Sequence, residues 1–207
     1  MKNNLIIIIF LILQLFNFTY LNSDELIKLE SSKIELIDKG NIIKSYDGVK
    51  VEYSDELTII GNNSTYDKLK NKIEISGNVF VEDHLRNIKI KTNEIKYDIE
   101  KELLTILFKT EINIEGKYLI TGSNFTYDRK NLIVKSDGEA KIKDDKSNEF
   151  RLLNFEFNLA NEIINSKKLN FMDINKNKLY LESATVSLKN NEIVGKEIAF
   201  DFEISLH

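Results

Sequence analysis

Aspartate follows an apolar or aromatic residue at a recurring place in this chain: Ile37-Asp38, Tyr66-Asp67, Tyr97-Asp98, Tyr127-Asp128 and Phe200-Asp201. A row of carboxylates has two chemical uses. Stacked along a solenoid, it holds a ladder of calcium ions; buried in pairs, it supplies a general acid beside an ionised partner. Neither use suits the surrounding residues. A calcium ladder needs Gly-Gly-x-Gly-x-Asp turns, and that spacing is missing from a sequence with 8 glycines. Carboxyl groups with raised pKa values need to be buried against one another, and no inward position consistently carries an acid. These aspartates instead end apolar segments and open polar clusters, where a carboxylate accepts backbone N–H bonds of a turn. We read them as turn caps.

Other reactive side chains are sparse. There are no cysteines, which excludes disulfides, thiolate metal sites and cysteine nucleophiles. His84 falls in a turn and His207 is the last residue, neither with a partner at usable spacing. Of 29 basic residues only Arg86, Arg129 and Arg151 are arginine, well separated in sequence. A polysaccharide lyase or hydrolase on a β-solenoid would need clustered acids with Arg or Lys on one concave face, so this class is disfavoured. The sequence therefore predicts a non-enzymatic protein with no catalytic residues, no metal and no cofactor. The net charge of −4 gives no support for the basic face a nucleic acid requires. Sequons such as Asn62-Asn63-Ser64 are expected by chance in a chain this rich in Asn, and we attribute the excess of Ile, Asn and Lys to base composition.

The elements that carry these residues are repeated. Tyr118-Leu-Ile-Thr-Gly-Ser-Asn-Phe-Thr-Tyr127 has the pattern Φ-x-Φ-x-small-x-x-Φ-x-Φ, where Φ is apolar or aromatic. The same offsets occur at Leu57, Ile59, Gly61, Ser64, Tyr66; at Ile88, Ile90, Thr92, Ile95, Tyr97; and at Leu179, Leu181, Ser183, Val186, Leu188. Weaker copies fit Ile27, Leu29, Ser31, Ile34, Leu36 and Phe150, Leu152, Asn154, Phe157, Leu159. The closing residues 36, 66, 97, 127, 159 and 188 stand 30, 31, 30, 32 and 29 positions apart, which makes an internal repeat. Within and between copies the apolar period is two, as in Ile73, Ile75, Gly77, Val79, Val81 and in Leu104, Ile106, Phe108, Ile112, Ile114. That period predicts half-buried strands. Residues 156–165 allow a short helix, but the repeat register claims them as strand. Turns are expected at 38–41, 67–68, 83–87, 128–131, 144–147, 176–177 and 189–191, all clusters of Asn, Asp, Gly or Lys.

Alternation fails at one place in each copy. Apolar residues run i, i+2, i+4 and then i+7, i+9, so one extra residue must be absorbed if both halves are to face inward. A β-bulge does this, bending the strand and raising its twist. The small residue at i+4 suits a bend with close backbone approach. Bulges aligned across successive strands crease a sheet along a line. The expected fold is all-β: an antiparallel hairpin-repeat sheet creased into a β-jellyroll, or β-taco, with two apolar faces opposed.

The N-terminus reads as an export signal. Lys2 precedes nine unbroken apolar residues, Leu5 to Leu13, and Ser23-Asp24 is a plausible cleavage point. Residues 1–23 are thus expected to be a signal peptide, or an uncleaved membrane anchor, and 24–207 one domain.

With these features together, the chain resembles the OstA-like periplasmic domain of the lipopolysaccharide-transport family. The resemblance lies in Ile73-Glu-Ile-Ser-Gly-Asn-Val79, in Tyr97-Asp98 followed by Lys101-Glu-Leu-Leu104, and in the signal-like start. It covers about residues 25–203. The closing segment from Lys189 to Phe202 is similar to the end of the N-terminal domain of the assembly protein LptD, here without its membrane barrel, with LptA-like and LptC-like roles as alternatives. The resemblance implies a periplasmic protein associated with the outer membrane, or anchored in the inner membrane if residues 1–23 are retained. It also implies lipopolysaccharide as ligand, its lipid A acyl chains lying in the crease, and other domains of this kind as partners joined end to end by strand addition. Groove candidates are Ile73, Ile75, Val79, Val81, Ile88, Ile90, Ile95, Leu104, Ile106, Phe108, Ile120 and Phe125. The rival expectation is an exported structural β-repeat protein, for adhesion or a surface layer, with a solid core and no ligand.

Overall fold

The period-two alternation produces strands along almost the whole of the described chain. The computed structural model describes residues 27–201; the apolar stretch 1–23, read as a signal or anchor, and His207 lie outside the described residues. The strands are β1 (Ile27–Ile37), β2 (Ile42–Tyr53), β3 (Leu57–Gly61), β4 (Asn63–Asp67), β5 (Lys72–Asp83), β6 (Ile88–Asp98), β7 (Leu103–Ile106) and β8 (Thr110–Ile114). They continue as β9 (Tyr118–Gly122), β10 (Phe125–Asp128), β11 (Ile133–Asp144), β12 (Glu149–Asn158), β13 (Ile163–Met172), β14 (Lys178–Ser187) and β15 (Glu192–Asp201). All pair antiparallel with their neighbours in one sheet. No helix among the described residues is long and apolar enough to cross a membrane. The 156–165 stretch is the end of β12, a turn and the start of β13, so the repeat register was the better guide there.

Three pairs of short strands are halves of single long ones. β3 and β4 pair with opposite halves of both β2 and β5. β7 with β8, and β9 with β10, divide in the same way. The long strands show the same break as a register shift, between Ser31 and Lys33 in β1, Ser76 and Val79 in β5, and Ser136 and Glu139 in β11. These shifts align, so the sheet folds along one line into two walls. The first wall ends in the rim turns 38–41, 68–71, 99–102, 129–132, 159–162 and 188–191. The second ends in 54–56, 84–87, 115–117, 145–148 and 173–177.

Local chemistry makes the crease. Asn78, Asn124 and Asn154 lie in it with φ of 50°, 56° and 50°, a left-handed conformation that Asn adopts more readily than most residues. Asparagine therefore has a structural use here beyond base composition. Gly122 has an ordinary φ but no room: a Cβ there would lie 2.8 Å from the Glu139 carbonyl oxygen and 2.9 Å from the Phe125 ring. At Gly61 it would meet the Ile75 side chain at 2.5 Å. The small residue of the repeat is a point of close approach between neighbouring strands and the folded lining.

Two copies of the repeat sit differently from the sequence reading. In β12 the buried residues are Phe150, Leu152, Phe155 and Phe157, and in β14 they are Leu181, Ala184 and Val186. The crease thus comes two residues earlier, with Asn154 and Ser183 in the bend and Phe157 and Val186 as the closing residues. Leu159 and Leu188 imitated the register because both lie just past strand ends, half-buried against the core. One contiguous apolar cluster fills the space between the walls.

Candidate functional site

The inward positions line up across the walls as rows. Ile75 pairs with Ile95 across β5 and β6, and Phe125 pairs with Ile106 and with Ser136, making one row of the first wall. Ile73–Tyr97–Leu104–Tyr127–Val134 form the row nearer its rim. On the second wall Val81 pairs with Ile90, Ile90 with Ile112, and Ile112 with Ile120. Eleven of the twelve groove candidates (Ile73, Ile75, Val79, Val81, Ile88, Ile90, Ile95, Leu104, Ile106, Ile120 and Phe125) are buried in this lining. Phe108 is the exception and is corrected here: it is 45% exposed, outside the strands, between β7 and β8. Parity from Ile106 to Thr110 is kept across the crease, but the residue between them is carried to the outside of the bend.

The lining is not wholly apolar. Ser45 and Ser64, directly paired across β2 and β4, are buried with no hydrogen-bond partner for either hydroxyl. At the N-terminal end, Ile34 and Leu36 of edge strand β1 are 49% and 66% exposed. They continue the inward rows, since Ile34 pairs with Ser45 and Leu36 with Ile43. At the C-terminal end a cavity of about 100 Å³ opens between the rims, lined by Tyr118, Phe150, Phe171, Val186 and Ile193, with Asp144, Lys146 and Asn191 at its lips.

Between these ends the seam is closed by a cluster that the sequence reading missed. Arg129, in a first-wall rim turn, is fully buried and donates from Nε to Asp83 Oδ2 at 2.8 Å. Its Nη1 donates to Tyr97 Oη at 3.3 Å and to Glu102 Oε2 at 3.2 Å, and its Nη2 to Glu56 Oε2 at 3.3 Å. Tyr127 donates its hydroxyl hydrogen to Asp83 Oδ2 at 3.0 Å. Arg86 reaches Asp83 at 3.4 Å and Glu56 at 3.7 Å. Arg129, Glu102, Tyr97 and Tyr127 belong to the first wall, and Asp83, Glu56 and Arg86 to the second. Within each rim, backbone bonds join neighbouring turns: Arg129 N–H to Glu102 O at 3.1 Å, and His84 N–H to Glu56 O at 2.7 Å.

Burial raises the pKa of the Tyr127 phenol far above its ordinary value, and the adjacent Asp83 charge adds to the effect. For Arg129, burial alone would disfavour the charge, but the hydrogen bond and charge of Asp83 outweigh it and the net direction is upward. The guanidinium is a fixed cation inside the seam. A signal for this site was present in the sequence. In a chain that uses lysine for nearly all its basic residues, an arginine marks a place where a planar, multi-donor fork is required. Arg86 and Arg129 both fill that description. Arg151 instead pairs with Glu149 at 2.7 Å on an exposed part of the second wall.

Three of the recurrent aspartates cap turns through backbone N–H groups, whereas Asp38 accepts from the Asn41 side chain at 3.2 Å. Asp67 Oδ1 accepts from the Lys70 N–H at 3.1 Å, Asp98 from Lys101 at 3.2 Å and Asp128 from Asn131 at 2.9 Å. His84 contacts Thr58 Oγ1 at 3.0 Å on an exposed surface. Among the described residues no group of three or more His, Cys, Asp or Glu is placed to share a metal ion.

No family model matches the chain, and neither does any curated protein. Among solved structures it is similar to LptH, the LptA homologous periplasmic component of the conserved lipopolysaccharide transport device from Pseudomonas aeruginosa. The match covers 55% of this chain and 82% of that one, with 20% identity and a TM-score of 0.49.

Proposed function

We propose that this chain is a non-enzymatic, periplasmic component of lipopolysaccharide transport that shelters acyl chains between the walls of its creased sheet. The observation that carries the reading is a largely apolar lining whose inner face is open at the N-terminal edge through Ile34 and Leu36 and at the C-terminal slot beside Phe171. Apolar surface removed from water gains roughly 25 cal/mol per Å², so an acyl chain has a thermodynamic reason to enter such a lining. The wording Ile75-Ser-Gly-Asn-Val-Phe-Val81 adds the family resemblance. The groove residues are then the eleven buried candidates together with Phe171 and Val186. Neighbouring domains of the same kind would add strands to the edges β1 and β15, passing the lipid toward the outer membrane with energy supplied elsewhere.

One observation favours the rival, a structural β-repeat with a solid core. The middle of the lining is packed shut, with Ile73, Ile75, Ile90 and Ile106 completely buried. The two readings separate at the C-terminal slot. A diazirine amino acid at Phe171, ultraviolet irradiation and purified lipopolysaccharide should give a crosslinked product well above that from the exposed neighbour Asn170. Equal labelling at the two positions sinks the lipid reading and leaves the solid core.

A further inference from the structure

We propose that the Arg129 cluster is a gate: an ionic clasp that holds the rims together over the middle of the trough and parts to let an acyl chain pass beneath. The proposal rests on the lipid-shielding reading above. It explains how a lining open at both ends and sealed between them can still conduct a chain from one end to the other.

The first support is the way the rims meet. Strand pairing runs from neighbour to neighbour around the sheet and joins the walls only through the crease. Across the seam at Arg129 the contacts are between side chains. Parting the rims there would break ion pairs and side-chain hydrogen bonds while leaving the strand ladders intact.

The second support is the graded exposure of the clasp. Asp83 and Arg129 are fully buried, whereas the side chains of Glu56 and Glu102 are 44% and 30% exposed. Water or a competing charged group reaches the outer carboxylates first. Their release weakens the hold on Arg129 while the Asp83 pair keeps the rims in register, so the clasp can loosen in steps.

The third support is the chemistry chosen for closure. A buried ion pair seals an interface less favourably than apolar side chains of similar volume, and such pairs are best attested as devices for register or switching. Further along the same seam Tyr118 and Phe157 meet edge to face at 5.6 Å. This fold therefore also closes its rims with aromatic contacts, including Tyr53 against Tyr97 at 5.8 Å beside the clasp, and over the middle the charged cluster is added to that closure.

The test exploits the absence of native cysteine. A Glu56→Cys/Glu102→Cys variant places thiols on opposite rims at two positions whose carboxylates bind the same guanidinium, and a short bismaleimide locks them. A diazirine analogue of leucine at Ile90 reports on the middle lining, with Phe171 labelled in parallel and lipopolysaccharide as the probe. Locking should cut the Ile90 product about tenfold while Phe171 labelling persists, a ratio that excludes a simple loss of folding. In the milder variant Glu56→Gln/Glu102→Gln, which keeps the Asp83–Arg129 pair, Ile90 labelling should rise above wild type. Equal Ile90 labelling in locked and unlocked protein overturns the gate. So does labelling at Phe171 with none at Ile90 in any variant, because the chain then uses only the ends. Loss of labelling at both positions in the unlocked wild-type protein removes the lipid reading itself.

Discussion

The middle of the trough and its C-terminal end are lined by the same kinds of residue and closed in different ways. Ile, Leu, Val and Phe face inward in both. Over the middle, two arginines, three carboxylates and two tyrosines tie the rims together. Over the C-terminal end, the rims are bridged by Lys146 Nζ donating to Asn191 Oδ1 at 2.8 Å on the surface, and a cavity lies beneath. Lys117 and Glu162 stand 3.9 Å apart in between. Whether the trough is sealed or open is thus decided at the rim turns. On the proposed reading, the lining would supply the affinity for apolar groups and the rims would decide where they enter.

The largest expected effect comes from breaking the inner pair. Asp83→Asn removes the closest and only fully buried of the three carboxylates that hold the Arg129 charge, and breaking a buried pair by removing one partner costs about 3–5 kcal/mol. Urea unfolding should show that loss as a lower midpoint at an unchanged slope. A loss below about 1 kcal/mol would put Arg129 in the class of surface ion pairs and erase the distinction between middle and end.

The difference between the regions also marks what could be read in advance. The strands, the hairpin repeat and the crease were legible because each leaves a local trace: a period of two, a period near 30, and one inserted residue beside a small one. The errors were local as well. Asn154 and Ser183 fit the i+4 slot of the sequence pattern because Leu159 and Leu188 follow at the right distance, although these two leucines belong to rim turns. Phe108 kept perfect parity with Ile106 and Thr110 and still lies outside, since a fold line has no inward position at its outer edge. The clasp left no local trace. Arg129 and Asp83 are 46 residues apart, and Arg129 and Glu56 are 73. Only the way the sheet closes brings four rim turns together, and that closure is not encoded in any single repeat. The scarcity of arginine was the available clue, because it concerns residue choice and not position.

A smaller effect is expected from Tyr127→Phe, which removes one of the bonds to Asp83 and leaves both arginines in place. The loss should be about 1–3 kcal/mol at neutral pH. Its pH dependence is more diagnostic. The folded phenol holds its proton well above the ordinary value of 10.0 because of burial and the Asp83 charge. Its contribution is therefore fully present below the unfolded pKa and is lost as pH rises beyond about 10, where the unfolded chain ionises and the folded one does not. Stability measured from pH 8 to 11 should fall more steeply in wild type than in Tyr127→Phe. Parallel curves would show that the phenol is not held in the low-dielectric seam.

The smallest effect belongs to the open end. Lys146→Ala removes a bridge between rims of the same span as the Arg129 contacts, but one whose groups keep most of their hydration in either state. A bond of this kind contributes less than about 1 kcal/mol, so the unfolding midpoint should scarcely move. The change should instead be local. With the bridge gone, the lips at Lys146 and Asn191 are free to separate over Phe150, Phe171 and Val186. Amide hydrogen exchange in the turns 145–148 and 188–191 should then quicken while exchange in β5 and β6, under the clasp, stays as in wild type. Faster exchange in both places would mean that the seam opens as one unit and that middle and end are not separately controlled.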